Sequence, residues 1–222
     1  GDLTIENGSI LENTSCEGSV TNKGIISGTG SFSGDVKNDG AISGGNFDGK
    51  VDNTETGIIT DGTFNNTVDN KGSISGGNFN NGVDNAGTGS ISNGSFAGDV
   101  KNDGIISGGN FKDTCKVDNS NNISGGTFDG RVNNNETGTI TDGTFNNTVG
   151  NKGSISSGNF NNGVDNADTG NISNGSFAGD VKNDSSISGG SFTGKVDNTE
   201  NGTISGGEFN SEVDNKGSIT DG

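Results

Sequence analysis

The chain contains no histidine, no tryptophan, no tyrosine and no methionine, and only two cysteines in 222 residues. Without histidine the usual general base and the commonest metal ligand are missing. Neither Cys16 nor Cys115 has a sequence partner suited to a nucleophile, so catalysis would rest on carboxylates alone. Basic residues are also scarce. A formal charge of −17 argues against nucleic acid, whose phosphates would be repelled, and against anionic membrane surfaces. No run exceeds two adjacent large apolar residues, so no segment is expected to insert in a bilayer. The stretch opens at Gly1 without a signal-peptide pattern, which is expected if such a leader is removed or lies upstream. Hydrophobic residues make up only 23%, and 44 glycines accompany them, a composition close to that of disordered chains.

The ordering of the few apolar residues points the other way. Phenylalanine occurs at Phe32, Phe47, Phe64, Phe79, Phe96, Phe111, Phe128, Phe145, Phe160, Phe177, Phe192 and Phe209, at spacings of 15 or 17 residues. Every valine, from Val20 to Val213, falls in a column of its own. Phe64 to Phe79, FNNTVDNKGSISGGNF, is one full period: phenylalanine, valine, asparagine, isoleucine, glycine, phenylalanine. A self-similar period of this size marks a repeat architecture whose units are stable only when stacked. It is too short for a helical pair. The apolar positions are isolated, β-branched or aromatic, and bounded by Gly, Asn, Asp and Ser, as very short strands joined by tight turns would be.

The expected fold is therefore all-β, a single-stranded parallel β-solenoid with short triangular rungs of 15–17 residues. About thirteen rungs at ~4.8 Å would extend roughly 60 Å. Each rung presents Phe, Val and Ile inward. Residues 16–222 form the continuous array, and residues 1–15 an irregular N-terminal rung or cap, with Ile10 alone matching an isoleucine slot.

Charges give a separate test of stacking. Asp35-Val36-Lys37 precedes Lys50-Val51-Asp52, Asp99-Val100-Lys101 precedes Lys116-Val117-Asp118, and Asp180-Val181-Lys182 precedes Lys195-Val196-Asp197. Valine laid on valine in parallel sets opposite charges side by side. A hairpin would pair them in the opposite order.

Asparagine stands two after every valine: Asn22, Asn38, Asn53, Asn70, Asn85, Asn102, Asn119, Asn134, Asn151, Asn166, Asn183, Asn198 and Asn215. Parity puts it on the valine side, where stacked amides can hydrogen-bond along the axis; the alternative is a left-handed corner residue. Glycine stands two before every phenylalanine, from Gly30 to Gly207, as a corner with positive φ or no room for a side chain demands. The longer rungs insert two residues between asparagine and isoleucine, an outward bulge. Copying is visible on a larger scale, since the run from Phe47 reappears from Phe128 and again from Phe209. Phe64 to Ser75 and Phe145 to Ser156 differ only at Asp69 and Gly150. The repeat breaks off at Ile219-Thr220-Asp221-Gly222 with no polar cap, as expected of a piece of a longer protein or of a last rung covered by another molecule.

Cys16 occupies the phenylalanine slot of its rung and reads as a small buried residue. Cys115 lies in an insertion between Phe111 and Val117 and reads as an outward bulge open to intermolecular pairing. Six rungs, roughly 28 Å, separate the two, beyond the ~4.4–6.8 Å a disulfide spans.

Three surface columns bear on function. Ser or Thr follows every core isoleucine, including Ser43, Thr60, Ser75, Ser92, Ser107, Ser124 and Thr141. This hydroxyl ladder loosely resembles the Thr-x-Thr faces of insect antifreeze solenoids, and is the candidate binding face for ice or a glycan. The companion column before isoleucine is mixed, so the hydroxyls are also explained by cross-strand pairing. Asp52, Asp69 and Asp84 fall on successive rungs at about 5 Å, where Ca²⁺ could relieve repulsion. The Gly-Gly-x-Gly-x-Asp nonapeptide of calcium-binding solenoids is absent, and a solvated acidic edge accounts for the column. Asn-x-Ser/Thr triplets such as Asn65-Asn-Thr67 carry little weight at this composition. No loop exceeds the repeat by more than two residues, so no pocket, no catalytic residue and no enzyme activity is expected.

The string Val-x-Asn-x-Gly-x-Ile-Ser-Gly-Gly-x-Phe resembles the Gly/Asn/Ser-rich solenoid repeats of bacterial surface and secreted proteins, those of autotransporter passengers and filamentous adhesins, over residues 16–222. The resemblance implies an extracellular or cell-surface stalk or adhesin segment, and transfers no functional residue. Its partners would be further repeats of a longer chain, or copies of itself stacked end to end as a fibre. The alternative is a binding module for glycan or ice.

Overall fold

The computed structural model describes residues 1–220; Asp221 and Gly222, at the break in the repeat, lie outside them. The described residues form a parallel β-solenoid without helix, of about thirteen turns. They divide into two compact units, Gly1–Cys115 and the residues from Lys116 on. Each unit is built on the same plan.

One coil shows it. Val68–Asn70, Ser73–Ile74 and Asn78–Phe79 are its three strands. All three pair in parallel with the coil after them, Val68 with Val83, Ile74 with Ile91 and Phe79 with Phe96. Period-two alternation turns Val68, Asn70, Ile74 and Phe79 inward and leaves their neighbours outside. Phenylalanine thus packs on phenylalanine. From Phe32 to Phe111, successive ring centroids lie 4.7–4.9 Å apart with planes within 11°. From Phe128 to Phe209 they lie 4.7–4.9 Å apart within 8°. The rings from Phe32 to Phe192 are fully buried, whereas Phe209 is half-buried.

The asparagine column forms a buried amide ladder. In the first unit each Nδ2 from Asn22 to Asn85 donates to Oδ1 of the next asparagine at 2.7 Å. In the second the series from Asn119 to Asn215 does the same at 2.7 Å. The second amide proton caps a corner carbonyl of the same coil, as in Asn70 Nδ2 to Gly72 O at 3.3 Å. Paired in this way, a buried amide avoids the desolvation penalty that an unpaired one would carry. None of these asparagines takes the left-handed conformation, which among the described non-glycine residues is confined to Asn13 and Asp168.

Two glycine columns follow from this packing. A Cβ on Gly72 would lie 2.2 Å from Gly57 O. Gly94, two before Phe96, has φ 123° and lies against the phenylalanine rings. The same conformation recurs before the phenylalanines from Phe47 on, but Gly30 lacks it; there the turn is made by Gly28 at φ 79°, and Gly30 is required by Thr14 O, 2.1 Å from where a Cβ would stand.

Residues 1–15 are a coil of the array. Leu3 pairs with Val20 and Ile5 with Asn22, so buried Ile5 fills the asparagine slot. The isoleucine slot belongs to Leu11, which pairs with Ile26; Ile10 pairs with Ile25 on the outside and is 63% exposed, contrary to the sequence reading. The two-residue inserts are exposed turns, as at Glu55 and Thr56, closed by Gly57 N–H to Thr54 O at 2.9 Å.

The charge register is as read, but the ion pairs are not. Lys37 faces Asp52 and Lys182 faces Asp197. The ammonium groups turn elsewhere, Lys37 to Asp39 at 3.3 Å and Lys182 to Asp184 at 3.0 Å. Asp35 and Asp180 instead accept backbone hydrogen bonds from Lys50 and Lys195 at 3.0 and 2.9 Å. Flexible lysines on an exposed face choose among carboxylates at little cost.

Candidate functional site

The hydroxyl column is the first candidate. Ser43, Thr60, Ser75, Ser92, Ser107 and Thr141 are exposed and Ser124 is half-buried. Each coil brings one of them outward, immediately after its core isoleucine. Their donors point along the stack: Thr60 Oγ1 lies 3.3 Å from Ile42 O, and Ser75, Ser92 and Ser107 each lie 3.4 Å from the isoleucine carbonyl of the preceding coil. Thr141 does the same toward Ile123 O at 3.4 Å. These long bonds tie the hydroxyls to the backbone and leave acceptor lone pairs facing outward.

The acidic column behaves as a screened edge. Asp52, Asp69 and Asp84 are opposite one another in register. Lys50 pairs with Asp69, and that hydrogen bond with its attraction raises the ammonium pKa against a small opposing effect of burial. Lys101 reaches Asp84 at 3.7 Å and also binds Asp103. Among the described residues no three acidic or cysteine side chains converge so as to hold a metal ion.

A second amide series, unforeseen, lies on the surface beside the phenylalanines. Asn65 Nδ2 donates to Asp48 Oδ1 at 2.8 Å and Asn80 Nδ2 to Asn65 Oδ1 at 2.8 Å. The second unit repeats it with Asp129, Asn146 and Asn161 at 2.7 Å. Its signal was the polar residue directly after most phenylalanines, with Ala97 and Ala178 the exceptions.

The cysteines correct the reading of the insertion. Both are free. Cys16 bridges to Phe32 in the phenylalanine slot but is only half-buried. Cys115 is not on an outward bulge; it is 1% exposed. The turn is made by the preceding residues, with Cys115 N–H donating to Lys112 O at 2.9 Å. Cys115 stands two before Val117, and even parity turns it inward with the valine. Burial, with Asp99 nearby, pushes its thiol pKa up to about 12.

Contrary to the expectation of no pocket, the second unit carries an open groove of about 550 Å³ on the outer face of its valine sheet. It is made by missing side chains rather than by a loop. Gly150 and Gly163 form its floor, and Arg131, Lys182 and Asp197 rise around it. Arg131 contributes to holding Asp118 down: burial pushes that carboxyl up, but hydrogen bonds from Lys116 and Asn133, with the two cations, outweigh it.

Comparison of the chain with protein-family models, with curated proteins and with solved structures finds no match.

Proposed function

We propose that this chain is a non-enzymatic structural repeat segment, an extracellular rod-like stalk or adhesin stretch at the cell surface, extending by addition of coils or by end-to-end stacking of copies. The observation that supports the reading is the axial use of nearly every large side chain: phenylalanine on phenylalanine, and asparagine bonded to asparagine through each unit. Such a design makes length adjustable, because each added coil brings its own core and pairs with its neighbours.

Electron microscopy of the intact chain and of a variant lacking residues 65–145 tests it. That deletion removes five coils and joins Phe64 to Asn146 within the repeat. Particles shorter by about 24 Å support a rod whose length is set by coil number. Filaments that lengthen with protein concentration would support end-to-end assembly. Particles of unchanged length would contradict the reading.

A second reading, a binding module for ice or a glycan, draws on the exposure of Ser75, Ser92 and Ser107 on successive coils. Replacing all three by lysine should abolish ice shaping or glycan retention while the β-sheet spectrum persists. If binding survives, that face is idle.

A further inference from the structure

The two copies of one coil supply an internal comparison. In the first unit Lys50 pairs with Asp69 on the next coil. In the second unit Arg131 stands where Lys50 does, and Gly150 where Asp69 does, although the segments from Phe64 to Ser75 and from Phe145 to Ser156 are otherwise identical. The change removes the carboxylate and keeps the cation. Arg131, the sole arginine of the chain, is exposed and makes no ion pair within the described residues. Its Nη2 lies 3.6 Å from where a Cβ on Gly150 would stand, so a carboxylate held over Gly150 would meet the guanidinium.

The rest of the groove specifies what else such a ligand carries. Its other two cations are occupied, Lys182 by Asp165 and Asp184, and Lys195 by Glu212. Arg131, which feels the charge of Asp118 on the preceding coil but forms no ion pair with it, is the groove cation left to meet one negative charge. Asp197, at the far end, is half-buried and lines the groove; its Oδ1 is shut off from solvent and has no donor, so the carboxylate's hydrogen-bonding capacity is not used up within the chain. The same orphan oxygen occurs at Asp52, so it is the combination with Arg131 and the glycine floor that distinguishes this groove. Arg131 and Asp197 are four coils apart, roughly 19 Å.

From these features we infer that the groove over Gly150 and Gly163 binds an extended, sparsely charged oligosaccharide bearing a uronic acid, its carboxylate on Arg131 and its hydroxyls on the acidic side chains beyond. The planar guanidinium fork matches a carboxylate through two parallel hydrogen bonds. Nucleic acid or polyphosphate does not fit, since each further negative charge would meet Asp165, Asp180 or Asp197. Nor does an added peptide strand, because the strands of this floor are paired on both sides.

The test is amide chemical-shift mapping of the intact chain, titrated with a neutral xylo-oligosaccharide carrying a single glucuronic acid, with its carboxyl methyl ester, and with sodium acetate. The expected result is a set of shifts centred on residues 148–150 and 163–165 with the acid alone. Arg131→Gln should weaken binding about tenfold or more, the factor expected for a lost charge-assisted contact. Gly150→Asp should do the same by restoring the internal ion pair. That variant is compatible with the fold, since Asp69 occupies the equivalent position in the first unit. Absence of shifts at millimolar ligand, shifts unchanged in Gly150→Asp, or equal shifts with the methyl ester or acetate would each overturn the inference.

Discussion

Asn70 donates its side-chain amide to Asn85 across 2.7 Å, with both residues wholly removed from solvent. Each amide in the ladder is at once donor to the next coil and acceptor from the last. Aligned amides in a low-dielectric interior polarise one another, so interrupting the series affects two bonds. Asn85→Ala should therefore lower stability by about 1–3 kcal/mol, the penalty for leaving a buried polar group unpaired. Urea denaturation reads this, with Ser75→Ala, an exposed hydroxyl, expected within about 0.5 kcal/mol of the parent.

The phenylalanine stack makes a graded prediction. Phe96 is fully buried between Phe79 and Phe111, with centroids 4.7 Å away on each side. Phe96→Ala should cost about 3–5 kcal/mol, the range for deleting a buried aromatic ring. Phe209→Ala, at a half-buried ring, should cost distinctly less. Equal losses at the two sites would mean that burial does not govern the stack.

Thiol chemistry separates the two cysteines. Cys16 should react with an aromatic disulfide reagent at pH 8, while Cys115 should remain unmodified until the chain is unfolded. The sign of the pH effect follows from an acid whose pKa rises from 9.0 to about 12 on folding. Below the unfolded value both states keep the proton and the contribution is intact. Between about 9 and about 12 the unfolded thiol ionises and the folded one does not, so stability falls as pH rises. Cys115→Ala should flatten that alkaline decline; an unaltered pH profile would assign it to other groups.

Most of the fold was legible because the repeat places chemically distinct residues in distinct columns. Val68 and Asn70 share a face by parity, and the same parity read at Cys115 gives its inward position, which attention to the insertion obscured. Ile10 misled because it is adjacent to Leu11, and only pairing with Ile25 and Ile26 decides which of the two enters the core. The lysine contacts were not readable. Register fixes the Cα of Lys37 opposite Asp52, but a long exposed side chain selects its carboxylate at the rotamer level. The groove had a single sequence signal, the exchange of Asp69 for Gly150 in otherwise identical copies. That signal becomes a site only once Lys50 is seen to use the carboxylate that Arg131 lacks.

The direct measurement of coil-on-coil stacking is the scalar coupling across backbone hydrogen bonds, detected by nuclear magnetic resonance on labelled chain. The amide nitrogen of Asn80 should couple to the carbonyl carbon of Phe64, and that of Lys71 to Asn53, since these donors lie 2.8 Å from their acceptors one coil earlier. Coupling of the same amides to carbonyls across a local hairpin, in antiparallel order, would contradict the account.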